Sequence, residues 1–255
     1  MDTQVQSFAV INLRRRPVVV ETGGFVAGFT PDTDNPYMNY ATPLPGTAPT
    51  ARDVAALIGA FRERGLLPRL EFVPQAAPAV APALRAAGFG TEAAHEYLVC
   101  TPRTLVLPQS PDSPQVETPT TDKEFAELDA ALAEAFGGLF SPSPQGAARL
   151  RHTQQSGGAV RFVRDPRGGI AGGASCSPPA ENTAELTGVG TRPACRGCGI
   201  AAAVTAVLSE AMFTQGAGSV WLEYSGEGSR RVYERVGFRP QGTRLYLSLP
   251  PAQQP

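Results

Sequence analysis

The segment Val189–Ala201, VGTRPACRGCGIA, constrains this chain more than any other. A strand-like stretch runs into Pro193, which has no amide N–H and blocks its continuation. Gly197 and Gly199 then precede an apolar run that starts at Ile200. Glycines let backbone amides converge without a Cβ in the way. A helix start adds unpaired N–H groups and a partial positive charge. Strand, glycine-rich turn and helix together make a backbone cradle for a pyrophosphate, and they call for an α/β fold. The segment is neither a Gly-Lys-Ser/Thr phosphate loop nor a dinucleotide-binding GxGxxG.

The surrounding pattern supplies the rest of such a fold. Thr121-Asp122-Lys123-Glu124 reads as a capping box, and Phe125, Leu128, Leu132 and Phe136 follow at helical spacing up to Gly137-Gly138. A second helix is expected over Gln145–Gln155. Short strands are expected over Val160–Val163 and Ile170–Ser175, with a third over Glu185–Thr191. Ile200–Phe213 reads as a buried helix, Ser219–Tyr224 as a strand, Ser229–Val236 as a helix and Arg244–Ser248 as a terminal strand. Pro108, Pro111, Pro114 and Pro119 predict a linker at 107–120, between a first part, 1–106, and a second, 121–255. In the first part Val54, Leu57, Ile58 and Phe61 predict an amphipathic helix. Arg69–Val73, Ala79–Ala87 and His95–Cys100 read as strand, helix and strand. Strand, helix, Gly-Phe and strand thus occur twice, as RLEFVP…ALRAAGF…EYLVC and VWLEYS…VYERVGF…RLYLSL, which predicts an internal duplication.

Arg196-Gly197-Cys198-Gly199-Ile200-Ala201 resembles the Arg/Gln-x-x-Gly-x-Gly/Ala signature of the GNAT (GCN-related N-acetyltransferase) superfamily, which binds the pyrophosphate of acetyl-CoA. Val189-Gly190-Thr191-Arg192-Pro193 resembles that family's V-x-V-x-P strand end. Val232-Tyr233-Glu234-Arg235-Val236-Gly237-Phe238 resembles its L-Y-E-x-x-G-F helix end. The resemblance covers roughly 115–250. It implies a mixed-sheet α/β (α+β) fold with two GNAT-like halves, the first degenerate and the second complete. It implies acetyl-CoA as cosubstrate, held by Arg196, Gly197, Cys198, Gly199, Ile200 and Ala201. It implies that the backbone of Val189, Gly190 and Thr191 binds the pantetheine and polarises the thioester. Tyr233 matches the tyrosine that protonates the departing thiolate in many relatives, and Glu185 lies where several carry a glutamate base, with Glu223 a rival. The implied activity is acetyl transfer to an amine by direct attack in a ternary complex; the alternative is an acetyl-CoA-binding module without catalysis. Many relatives place Asn between the second strand and the last helix, where this chain has Tyr224-Ser225-Gly226-Glu227-Gly228 and Ser225 is the substitute on offer.

The remaining candidates are weaker. Cys195 and Cys198 form C-x-x-C inside the cradle, and the other Cys and His residues have no paired spacing, so no metal is expected. His95 and His152 are isolated, Arg14-Arg15-Arg16 reads as a solvated turn, and Asn39-Tyr40 is offered as an acceptor-cleft lining. Net charge is −1, against a nucleic-acid or polybasic membrane partner. With 42% apolar and 18% charged residues the composition is globular. Only one of 22 basic residues, Lys123, is a lysine; with 27 Gly and 25 Pro, that suggests a GC-rich bacterial source. Four cysteines and an acidic start without an apolar run predict a cytoplasmic protein with no signal peptide. The acceptor is an amine whose size the sequence leaves open, as it leaves open a homodimer.

Overall fold

The computed structural model describes residues 1–31, 33–108 and 113–250, so Pro111 of the expected linker lies outside the described residues. The chain forms two compact units. One holds Met1–Tyr97 and the segment from Gln241 onward; the other is Leu98–Pro240. The units exchange chain at Tyr97/Leu98 and Pro240/Gln241, whereas the proline pattern places the linker at 107–120.

The first unit begins with α1 (Asp2–Arg14), β1 (Val18–Thr22), β2 (Phe25–Phe29) and β3 (Tyr40–Pro43). It continues with α2 (Ala51–Arg62), β4 (Arg69–Phe72), α3 (Val80–Ala86) and β5 (Gly90–Cys100), the last passing out of the unit after Tyr97. The chain's last strand, Arg239–Ser248, enters this unit at Gln241 and pairs antiparallel with β4, Leu247 opposite Leu70. Sheet order here is β1, β2, β3, β4, last strand, β5. Leu70, Phe72, Leu245 and Leu247 pack with Val54, Leu57 and Phe61 of α2 and Leu84 of α3. The expected α2, β4 and α3 are present. The helix α1 is not apparent from the sequence, because it buries Gln6 amid Val5, Phe8 and Leu13 and so has a weakened apolar stripe.

The second unit contains β6 (Val116–Glu117), α4 (Asp122–Ala135), α5 (Pro144–Gln155), β7 (Ala159–Arg164), β8 (Ile170–Cys176) and β9 (Thr183–Thr191). Then come α6 (Ile200–Thr214), β10 (Ser219–Glu223) and α7 (Gly226–Val236), before the last strand, β11 (Arg239–Ser248). Sheet order is β10-β9-β8-β7-β6, with β9–β10 parallel and the other pairs antiparallel. β6 is a two-residue strand inside the proline-rich stretch; it pairs at the sheet edge, where missing amide donors cost least. Thr121 and Glu124 form the expected capping box on α4. Leu128 and Leu132 of α4 pack with Val160, Phe162 and Ile170. Val204 and Leu208 of α6 pack with Val163, Ala174 and Leu222. The sheet is therefore covered on both faces, which suits a parallel strand pair. Among the described residues, no helix is long and apolar enough to cross a membrane.

Candidate functional site

The β9–β10 pair opens partway along its length. Ser219, Val220 and Trp221 lie opposite Thr183, Ala184 and Glu185, and the register stops there. β9 nevertheless runs on to Thr191 and β10 to Glu223. On its other edge β9 stays paired with β8, Gly190 opposite Gly173 and Thr191 opposite Gly172. Between Thr187 and Gly190 it carries one residue more than β8 does between Ser175 and Gly173, a bulge that starts at Gly188 with φ 65°. The stretch Leu186–Thr191 therefore turns an unpaired strand edge toward the gap left by β10. Gly190 is buried against α4: a Cβ there would stand 2.9 Å from Leu132 Cδ2 and 3.0 Å from Ala135 Cβ. Close packing of β9 on α4 accounts for glycine at this position.

The connection from β9 to α6 is a short 3-10 turn, Pro193–Cys195, followed by two left-handed glycines, Gly197 (φ 82°) and Gly199 (φ 77°). Gly199 is the N-cap of α6, and no side chain caps the helix. The first amide to reach back into it is that of Ala203, bonded to the Gly199 carbonyl at 3.0 Å. Among the described residues no group accepts the N–H of Ile200, Ala201 or Ala202. Arg196, Gly197, Cys198 and Gly199 are exposed, Ala201 is half-buried and Ile200 enters the core. A string of amides at the positive end of a helix, open to solvent, suits a bound anion. Arg196 ties this loop to α4, its Nη2 donating to the Ala135 carbonyl at 3.0 Å. Arg192 does likewise through Glu134 and the Ile170 carbonyl.

The expected acid lies on α7 and the expected base on β9. Tyr233, on α7, is 7% exposed and packs in the core with Leu222 and Phe238. Burial pushes its phenol up to about 12, so it is protonated at any physiological pH. Glu185 is half-buried at the last β9–β10 pair, the base of the opening. Ser177 fixes its backbone: the Glu185 N–H donates to Ser177 Oγ at 3.0 Å, and the Glu185 carbonyl accepts from the Ser177 N–H at 2.9 Å. Glu223 is half-buried at the end of β10. Ser225 is the N-cap of α7 but its side chain makes no capping bond, and its carbonyl accepts from Ser229 Oγ at 2.6 Å.

Other candidates are absorbed elsewhere. Asn39 is 1% exposed and holds its own loop: its Oδ1 accepts from the Thr30 N–H, and its Nδ2 donates to the Thr33 and Asn35 carbonyls. That is a structural role, not a cleft lining. His95 stacks edge-on against Tyr246 at 4.9 Å, and His152 lies in the last turn of α5. Arg14 ends α1 and pairs with Glu21, so the arginine run closes a helix. Cys195 and Cys198 are free thiols, and among the described residues no three His, Cys, Asp or Glu side chains gather in a metal-binding group. Neither the bulge at Gly188 nor the part played by Gln6, which bears on the first unit below, has a local signal in the sequence.

A family model described as Acetyltransferase (GNAT) family matches residues 125–238, which span α4 to the end of α7 and contain every feature of this site. No curated protein matches the chain. Among solved structures, the fold is similar to that of a GCN5-related N-acetyltransferase from Kribbella flavida, with TM-score 0.81, 23% identity, and 99% of this chain and 96% of that one covered. A GCN5-related N-acetyltransferase from Sphaerobacter thermophilus matches with TM-score 0.59 and 16% identity, over 89% of this chain and 78% of that one. A tandem GNAT protein from the clavulanic acid biosynthesis pathway matches with TM-score 0.63 and 14% identity, over 98% and 88%.

Proposed function

Residues 125–238 are an acetyltransferase domain of the GNAT family, and on that premise we propose that the chain moves an acetyl group from acetyl-CoA to an amine by direct attack in a ternary complex. The observation that carries this reading is one juxtaposition: the unpaired end of β9 leads directly into the uncapped, glycine-lined start of α6. The pyrophosphate sits on the amides of Gly197 to Ala201, where a helix terminus is worth up to about 2 kcal/mol to an anion. The backbone of Val189, Gly190 and Thr191 takes the pantetheine and the thioester carbonyl. Fixed N–H donors aimed at the developing oxyanion lower the barrier most when little water competes.

Tyr233 meets the departing sulfur. A phenol at about 12 against a thiol near 8.5 makes complete proton transfer uphill by about 5 kcal/mol. Its contribution is therefore mainly a hydrogen bond to the forming thiolate, which the same dry surroundings also make more basic. Glu185, directly or through a water, takes a proton from the acceptor's ammonium, and the neutral amine then attacks the thioester carbonyl. The first unit takes no acetyl-CoA, and two features support that. Its β3–β4 pair also opens, after Ala41 opposite Leu70, but the gap is filled by fully buried Gln6. Gln6 Nε2 donates to the Pro43 carbonyl at 2.6 Å, and its Oε1 accepts from the Val73 N–H at 2.8 Å. The start of α2 is closed as well, by Thr50 and by the carboxylate of Asp53, which repels a phosphate where α6 would attract one.

The test is a thiol-release assay with acetyl-CoA across a panel of small amines, peptide N-termini and lysine peptides, with products resolved by mass. Acetylated acceptor formed in step with free CoA supports the reading. Tight acetyl-CoA binding with no release on any acceptor makes the chain a binding module instead.

A further inference from the structure

Three arginines of the second unit converge on one groove. Arg231 and Arg235 lie on α7, Arg239 begins β11, and with Glu234 they line a groove of about 570 Å³. Among the described residues none of the three has a carboxylate within salt-bridge distance. Glu234 does not neutralise them: its Oε1 accepts from Arg230 Nε at 2.8 Å. Arg239 donates to the carbonyls of Glu234 and Phe238, at 2.7 and 2.8 Å, which orients its guanidinium and leaves its charge unbalanced. Like charges four residues apart on a helix repel, so this arrangement lowers stability unless an anion joins it.

The groove is separate from the acetyl-CoA loop. Arg231 and Arg235 each lie two residues from Tyr233, about 200° around the helix at 100° per residue. Tyr233 faces the core, so the arginines face away from it. None of the residues from Val189 to Ala201 lines the groove. The aliphatic stems of the arginines offer apolar contact beneath their charged ends. Guanidinium forks match phosphate oxygens in pairs, and a phosphate carries more charge than a lone carboxylate.

We propose that Arg231, Arg235 and Arg239 form a second anion site, one that takes a small phosphorylated molecule independently of acetyl-CoA. The probe is inorganic pyrophosphate, titrated by calorimetry into the full chain. Gly199→Val serves as the background, since that change removes the helix-start loop as a competing phosphate site. One equivalent of pyrophosphate binds this variant, and the affinity falls as salt rises. Adding Arg231→Gln and Arg235→Gln weakens it at least about tenfold. Arg239 is left in place because its guanidinium also holds two carbonyls. Both changed residues are on the surface, and an unchanged melting temperature shows that the fold is intact.

The same two substitutions in the otherwise native chain leave acetyl-CoA affinity within about twofold. Pyrophosphate affinity that is unaltered by removing the arginines overturns the proposal. So does absence of binding to the Gly199→Val chain up to about 10 mM. A tenfold loss of acetyl-CoA affinity on removing Arg231 and Arg235 also overturns it, because the arginines would then serve the acetyl-CoA site. Undiminished acetyl-CoA binding in Gly199→Val alone would instead overturn the loop assignment and leave the arginine comparison valid.

Discussion

At the scale of single residues, Tyr233 and Gln6 carry the sharpest expectations. Tyr233→Phe keeps the ring in its core contacts and deletes the hydroxyl proposed to donate to the leaving sulfur. General-acid help is worth about 10²–10⁴-fold, and the uphill transfer from a phenol near 12 places the loss toward the lower end. Steady-state kinetics should show kcat falling about 100-fold with acetyl-CoA affinity unchanged; a loss below about threefold assigns Tyr233 to packing alone. The raised pKa also has a stability sign. The folded phenol holds its proton above the unfolded value of about 10, so its contribution is intact below pH 10 and is lost as pH rises toward 12. Denaturant titrations from pH 9 to about 11.5 should show this decline in the native chain and less of it in Tyr233→Phe. Gln6→Ala strands a buried N–H at Val73 and a carbonyl at Pro43. It should destabilise the chain by about 2–4 kcal/mol without altering acetyl-CoA affinity at the second unit. Tighter or additional acetyl-CoA binding in that variant would mean that Gln6 blocks a competent site.

At the scale of elements, the start of α6 is the critical feature. Gly199→Val meets little steric resistance, since its new Cβ would find only Pro114 atoms at 3.8–3.9 Å. Its cost comes from a left-handed φ of 77° that a β-branched residue resists. The loop should rearrange, with loss of acetyl-CoA binding and preservation of the global fold, as seen by circular dichroism. Cys195→Ser with Cys198→Ser should behave oppositely under reducing conditions, keeping substantial activity; one equivalent of zinc lost on that change would reassign the pair. These residues were legible in the sequence because the need is local: Pro193, Gly197 and Gly199 announce a strand stop and a helix start within a few positions. The opening of β9 from β10 was not legible from the residues, since strand pairing is set by partners about 36 positions away. The bulge at Gly188 has the same non-local origin. The burial of Gln6 is likewise set by distant residues, its partners lying at Pro43 and Val73.

At the scale of the whole molecule, the two compact units differ in how a helix of each one starts. α2 begins with a side-chain cap and an acidic first turn; α6 begins with a bare glycine and no acid. β5 and β11 each pass from one unit to the other inside a continuous strand, at Tyr97/Leu98 and Pro240/Gln241, and no composition change marks either point. The central claim is that one of the two units binds acetyl-CoA, through the start of α6. Calorimetric titration of the full chain with acetyl-CoA tests it most directly. One equivalent bound by the native chain, and none by Gly199→Val, is the result expected. Two equivalents, or binding undiminished by Gly199→Val, would contradict it.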